Sequence, residues 1–174
     1  MKNIVLIGFM GTGKTSTGKM LARRLGRRLV DTDKLIEEQA GTSISNIFAG
    51  HGEEYFRNLE TETVRELSGR KNMVIATGGG IVKRAENIEL LRKNGVIICL
   101  TASVSCVLER TGTKGVRPVL DKEDQGDRRQ AIEKLMNERK KLYEQADICF
   151  DTEESTPMES AEKIIGLLKI RGEL

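Results

Sequence analysis

Ile4-Val5-Leu6-Ile7-Gly8-Phe9-Met10-Gly11-Thr12-Gly13-Lys14-Thr15-Ser16-Thr17-Gly18 is the stretch from which the fold of this chain is read. Four apolar residues enter a glycine-rich turn, and Gly8, four residues, Gly13, Lys14 and Thr15 then follow the spacing of a phosphate-binding loop. Gly8, Gly11 and Gly13 let the backbone turn and approach a polyphosphate with no Cβ in the way. Successive N–H groups and the helix start at Lys14 point at anionic oxygens. Lys14 reaches the β- and γ-phosphates and the Thr15 hydroxyl suits Mg²⁺. The plainer reading is a glycine-rich strand-to-helix turn with no ligand. A strand before and a helix after satisfy the motif's context, so the stretch implies a nucleoside triphosphate site.

Around this loop the chain is modest in charge and size. Its 174 residues fit one domain able to bury a sizeable core. Lys and Arg number 29 against 26 Asp and Glu, a net charge of +3, which calls for neither nucleic acid nor an anionic membrane. No stretch nears the roughly 18 apolar residues of a spanning helix. The first strand begins at the N-terminus and leaves no room for a signal peptide. Cys99, Cys106 and Cys149 are odd in number and lack a CxxC pair, which reads as reduced thiols packed as small core residues. A cytoplasmic protein is expected.

Strand-like and helical patterns alternate along the chain. Strands are expected at 4–7, 29–30, 73–76, 96–100 and 148–150. Helices are expected at 14–25, 34–40, 45–48, 52–67, 85–93, from 104 to 110 onward, 129–143 and 158–168. Gly26, Gly41 and Asn94-Gly95 read as helix stops. Continuous apolar strands between helices imply an α/β fold: a three-layer sandwich with a central, parallel sheet of about five strands and helices on both faces. Residues 111–126, rich in Gly, Lys and Asp, read as a flexible lid. Ligands sit beyond the C-terminal strand ends of such a sheet. The phosphate loop, Asp31/Asp33 and Gly78-Gly79-Gly80 therefore border one crevice.

Asp31-Thr32-Asp33 closes the second strand, and alternation along an extended segment sends both carboxylates to one side. Beside a triphosphate, one can order Mg²⁺ while the other accepts a hydroxyl proton. Alternatively Asp33 caps the helix that follows. Arg57 and Arg139 lie on charged helices, where a solvated face is the ordinary outcome, yet the planar guanidinium also suits bidentate capture of a carboxylate or phosphate. Gly78, Gly79 and Gly80 read either as a tight turn or as a backbone wall for a second substrate. Residues 111–120 combine flexibility with Arg117 ahead of Pro118. They are either a connector or a segment that closes over the phosphates, excludes water and brings Arg117 to the transferring group. His51, between two glycines, is given no role.

Taken together, Gly8 to Thr15, Asp31-Thr32-Asp33, Phe56-Arg57, Gly78-Gly79-Gly80, Arg117-Pro118 and Arg139 resemble the shikimate kinase family, within the nucleoside-monophosphate-kinase-like group of phosphate-loop enzymes. The resemblance runs from Lys2 to about Phe150. It implies transfer of a phosphoryl group from ATP to the 3-hydroxyl of shikimate, on the route to chorismate and the aromatic amino acids. By the same resemblance, Gly11, Thr12, Gly13, Lys14, Thr15 and Ser16 hold the ATP phosphates, and Arg110 lies against adenine with Pro157 as one wall. Asp33, Arg57, Gly78, Gly79, Gly80 and Arg139 hold shikimate, with Glu60 supporting Arg57. Thr15 and Asp31 serve Mg²⁺, and Lys14, Asp33 and Arg117 (the lid arginine) act in catalysis. ATP and shikimate are the implied partners, and a monomer is expected. Two departures stand out. Val119 replaces the Leu usual after Arg-Pro, and the third strand ends in Gly78 rather than in a Walker B Asp, which puts more weight on Asp31 as the magnesium carboxylate.

Two other readings compete. A related kinase acting on gluconate or a nucleoside monophosphate shares the loop, although a monophosphate kinase needs further basic residues and a base pocket. A nucleotide-binding switch without turnover would leave the paired arginines unexplained. Aromatic residues are only 3% of the chain, too few for the stacking platforms of a nucleic-acid binder.

Overall fold

The computed structural model describes residues 1–112 and 125–174. Its centre is one five-stranded, wholly parallel sheet: β1 (Asn3–Ile7), β2 (Arg28–Asp31), β3 (Met73–Ala76), β4 (Gly95–Thr101) and β5 (Ile148–Asp151), in the order β2-β3-β1-β4-β5. The intervening helices are α1 (Lys14–Leu25), α2 (Thr32–Ala40), α3 (Ile44–Ser68), α4 (Ala85–Lys93), α5 (Val104–Arg110), α6 (Gln125–Tyr143) and α7 (Pro157–Ile170). Because β1 is the middle strand, the loop that follows it emerges at the centre of the sheet's C-terminal edge. That is where ligands of open α/β sheets bind.

Alternation along the strands divides the core into two layers. Val5 and Ile7 of β1, with Ile97 and Cys99 of β4, pack under Val64 and Leu67 of α3, Ile88 and Leu91 of α4 and Ile132 of α6. Ile4 and Leu6, with Val96, Ile98 and Leu100, pack under Leu21 of α1 and Ala161, Ile164 and Leu168 of α7. Each fully buried side chain of this size contributes roughly 1.5–3 kcal/mol, so neither face of the sheet can be left open. A third, smaller cluster of Ile36, Ile47 and Phe56 joins α2 to α3 beside the crevice.

Several boundaries differ from expectation for local reasons. The expected helices at 45–48 and 52–67 are the two halves of α3, which meet at a kink where Gly52 has the non-helical φ 81° and ψ 175°. The break therefore falls at the glycine-flanked His51, where the sequence places it. Helix α2 begins at Thr32, not at 34, because the Asp31 side chain caps it, accepting from the N–H groups of Asp33 and Lys34. The cap is thus Asp31 and not Asp33. The alternation argument for the two carboxylates also fails, since Asp33 already lies in the first helical turn. Gly95, read as part of a helix stop, opens β4. Ile81–Lys83 forms a short 3₁₀ turn that the sequence pattern does not mark. Thr111 closes α5 and α6 begins at Gln125, not at 129, and residues 113–124 of the expected lid lie outside the described residues. Among the cysteines only Cys99 is a buried core residue, whereas Cys106 is half-buried and Cys149 exposed on β5. Among the described residues no helix is long and apolar enough to cross a membrane.

Candidate active site

The phosphate loop folds as its glycines require. Gly8 has φ 144°, and the carbonyl of Leu100 at the end of β4 occupies the place a Cβ would need. Only glycine permits both the dihedral angle and the contact. Gly13 then caps α1, whose first residue is Lys14. The Lys14 ammonium lies 2.8 Å from the carbonyls of both Gly8 and Phe9, so it curls back over the loop whose amides face the crevice. The Thr15 hydroxyl donates to Oδ2 of Asp31 at 2.8 Å. Oδ1 of the same carboxylate takes the α2 N–H groups at 3.1 and 3.3 Å. The resulting pair of hard oxygen donors suits Mg²⁺. Among the described residues no cluster of three or more His, Cys, Asp or Glu gathers. A two-residue anchor is what an ion that keeps waters and binds substrate phosphates requires.

Across the crevice stands a second, cationic surface. Arg57 on α3 is buried, its guanidinium donating to Oε2 of Glu60 at 2.5 Å and to Glu53 at 3.2 Å, with Cζ 5.1 Å from the centre of the Phe56 ring. Arg139 on α6 is buried too, 5.6 Å from the Phe9 ring centre and donating to the Gly79 carbonyl at 3.2 Å. The solvated-face reading fails for both arginines. Between them runs the Gly78, Gly79 and Gly80 turn. A Cβ on Gly78 would stand 2.6 Å from Oδ1 of Asp33 and 3.2 Å from Oε1 of Glu60, and one on Gly80 would collide with the Arg57 guanidinium. The turn is glycine because side chains of α2 and α3 fill the space beside it.

Those two carboxylate oxygens, Oδ1 of Asp33 and Oε1 of Glu60, are enclosed and lack a partner among the described residues. Burial, reinforced by Glu60 and Asp31, pushes the Asp33 carboxyl up to about 6, with Lys14 opposing. Burial also raises the Glu60 carboxyl, against the pull of Arg57. A carboxylate with an open lone pair and an affinity for protons near neutrality is equipped to accept a hydroxyl proton.

All of these groups line one cavity of about 660 Å³ that runs from the phosphate loop to the arginine surface. Gly11, Thr12, Gly13, Lys14, Thr15 and Ser16 line it together with Asp31, beside Thr15, and with Asp33, Arg57, Glu60, Gly78, Gly79, Gly80 and Arg139. Arg110 and Pro157 sit at the far end. There the Arg110 guanidinium donates to the Gly11 carbonyl at 3.3 Å and to the Thr152 carbonyl at 2.9 Å. The Thr152 hydroxyl in turn lies 2.9 Å from the Thr12 carbonyl. Arg117 lies outside the described residues. Thr152 and Tyr143 join the site without having been singled out. Thr152 carries no local signal. Tyr143 carries one, since it follows Arg139 by four residues and so shares its face of α6.

Comparison with known proteins agrees with this arrangement. The family model described as shikimate kinase matches residues 10–169. The chain belongs to the shikimate kinase family. It is 52% identical to the shikimate kinase of Thermodesulfovibrio yellowstonii over 95% of this chain and 94% of that one. To the shikimate kinase of Caldanaerobacter subterraneus subsp. tengcongensis it is 49% identical over 99% of each. Among solved structures, the Acinetobacter baumannii shikimate kinase in complex with shikimate superposes with a TM-score of 0.93 at 37% identity, covering 98% of this chain and 94% of that one. Family membership makes the protein a kinase and does not favour the switch without turnover.

Proposed function

We propose that the protein transfers the γ-phosphoryl group of ATP to the 3-hydroxyl of shikimate, giving shikimate 3-phosphate and ADP on the route to chorismate. One observation carries this reading: two buried arginines and a carboxylate oxygen with no partner among the described residues line one cavity with a phosphate loop. Shikimate is a ring with one carboxylate and several hydroxyls. Arg57 and Arg139 hold the carboxylate by charge-assisted hydrogen bonds, with Glu60 fixing the Arg57 fork. Asp33 receives the proton of the attacking hydroxyl, and the Gly78, Gly79 and Gly80 backbone walls the ring. The phosphate-loop amides and Lys14 draw charge from the β- and γ-phosphates, where a loose transition state gains most. Arg110 and Pro157 border adenine. Thr15 and Asp31 would hold Mg²⁺, which when bound would supply neutralisation of phosphate charge. Arg117, outside the described residues, keeps on sequence grounds its task of meeting the charge of the transferring group. On this reading residues 1–174 act as one kinase domain, with the phosphate loop at 8–15, a substrate-binding region at about 31–62 and a lid at about 111–126, working in the cytoplasm.

The test is a panel of acceptors. ADP release from ATP–Mg²⁺ should depend on shikimate, cease with EDTA and return with added Mg²⁺. Phosphorylation of gluconate or a nucleoside monophosphate, with none of shikimate, would overturn the assignment.

A further inference from the structure

We propose that Tyr143 is a positioning residue that keeps Arg139 only loosely bound to the Gly79 carbonyl, and so able to hold the acid, by making the shorter bond to that oxygen. The inference rests on the reading of the site given above. Tyr143 is buried, and its hydroxyl donates to the Gly79 carbonyl at 2.5 Å. The same oxygen accepts from Nη1 of Arg139 at 3.2 Å, the longer and weaker of the two contacts. Both side chains come from one face of α6, four residues apart, so the helix meets the turn at two points. On its other side the turn is backed by the phosphate loop, since a Cβ on Gly79 would stand 3.3 Å from the Met10 nitrogen. The carbonyl is therefore held between α6 and the loop and has little room to rotate away.

A carbonyl oxygen has two lone pairs, and a buried one left short of partners recruits whatever donor is near. With the phenol in place, the oxygen makes its better bond to Tyr143 and leaves Arg139 loosely engaged. Burial holds the phenol at about 12, well above its ordinary value, so it remains a donor throughout the neutral range. Without the hydroxyl, the nearest replacement donor is Arg139. A guanidinium drawn onto Gly79 is withdrawn from the substrate carboxylate. The defect should then appear in acid affinity and not in the chemical step.

The experiment compares steady-state constants of wild type, Tyr143→Phe, Arg139→Ala and the double variant, alongside thermal melting. Tyr143→Phe is expected to raise KM for shikimate about 3- to 10-fold, the worth of one hydrogen bond, with kcat and KM for ATP changed less than about 2-fold. In the Arg139→Ala background the same substitution should leave KM for shikimate unchanged. Should the Phe variant fail to fold, 4-fluorophenylalanine at 143 fills the para position without donating and is expected to give the same rise. An unchanged KM in either folded form, or a loss confined to melting temperature, overturns the assignment. So does an equal rise with and without Arg139. No turnover of shikimate by wild type overturns the reading of the site and this assignment together, whereas wild-type turnover with an unaffected Tyr143→Phe overturns the assignment alone.

Discussion

Lys14 makes two 2.8 Å contacts with carbonyls of the phosphate loop, and on the proposed function its ammonium meets the phosphate oxygens of ATP. Lys14→Met is expected to lower kcat about 10²- to 10³-fold, the usual cost of one preorganised donor to developing charge. Steady-state assays at saturating shikimate check this. At Gly80 the argument is steric. An added methyl meets the Arg57 guanidinium, which Glu60 and Glu53 prevent from swinging aside. Gly80→Ala should therefore raise KM for shikimate about 10-fold or more, the worth of a charge-assisted bond, while KM for ATP holds. Asp33 carries the clearest pH signature. Its folded value near 6 lies above the unfolded value, so the folded chain keeps this proton longer. The resulting stability is complete below about pH 4, declines as pH rises, and is gone beyond about pH 6. In buffer free of nucleotide and divalent metal, the melting temperature of Asp33→Asn minus that of wild type should grow from pH 4 to pH 7. A constant difference would contradict the shift.

Helix ends show what a chain can and cannot announce locally. The start of α1 was legible because the loop, Lys14 and the apolar stripe all lie within a dozen residues. The start of α7 was readable but misplaced by one residue. Thr156 and Glu159 form a reciprocal capping box, with Pro157 at the first position, in the Thr-x-x-Glu spacing that marks a helix N-terminus. Thr156→Ala should cost about 1 kcal/mol and lower the melting temperature by about 2–4 °C, without touching kcat. The kink in α3 was legible too, because the glycines around His51 mark a break and Gly52 carries it. Ile47 before the kink and Phe56 after it pack in one cluster with Ile36, which holds the two halves together. The alternative reading of Asp33 as the N-cap of α2 names the neighbour of the true cap, Asp31, since sequence spacing alone does not say where an extended segment stops. Arg57 and Arg139 looked like solvated arginines on their own helices. Only the turn between β3 and α4, distant in sequence from both, gives them a buried surface.

For the molecule as a whole, apolar runs disclosed a parallel sheet covered on both faces but not its order. Burial patterns state that a strand is internal, not which strands flank it. The order β2-β3-β1-β4-β5 is what sets α2, the Gly78 turn and the phosphate loop side by side. Because both ligands bind the folded form alone, each should stabilise it. Shikimate at about 100 times its dissociation constant adds about 2.7 kcal/mol, a rise of roughly 5–10 °C in melting temperature for a chain of this size. Arg139→Ala should abolish most of that rise, and an undiminished rise would remove Arg139 from the acid site. The Gly79 backbone, set between Met10 and the side chains of α6, is in effect a party wall between two tenants. When one tenant settles, the wall stiffens for the other, and thermodynamic reciprocity makes the benefit mutual. Calorimetry should find that ADP tightens the grip on shikimate by the same factor as shikimate tightens the grip on ADP.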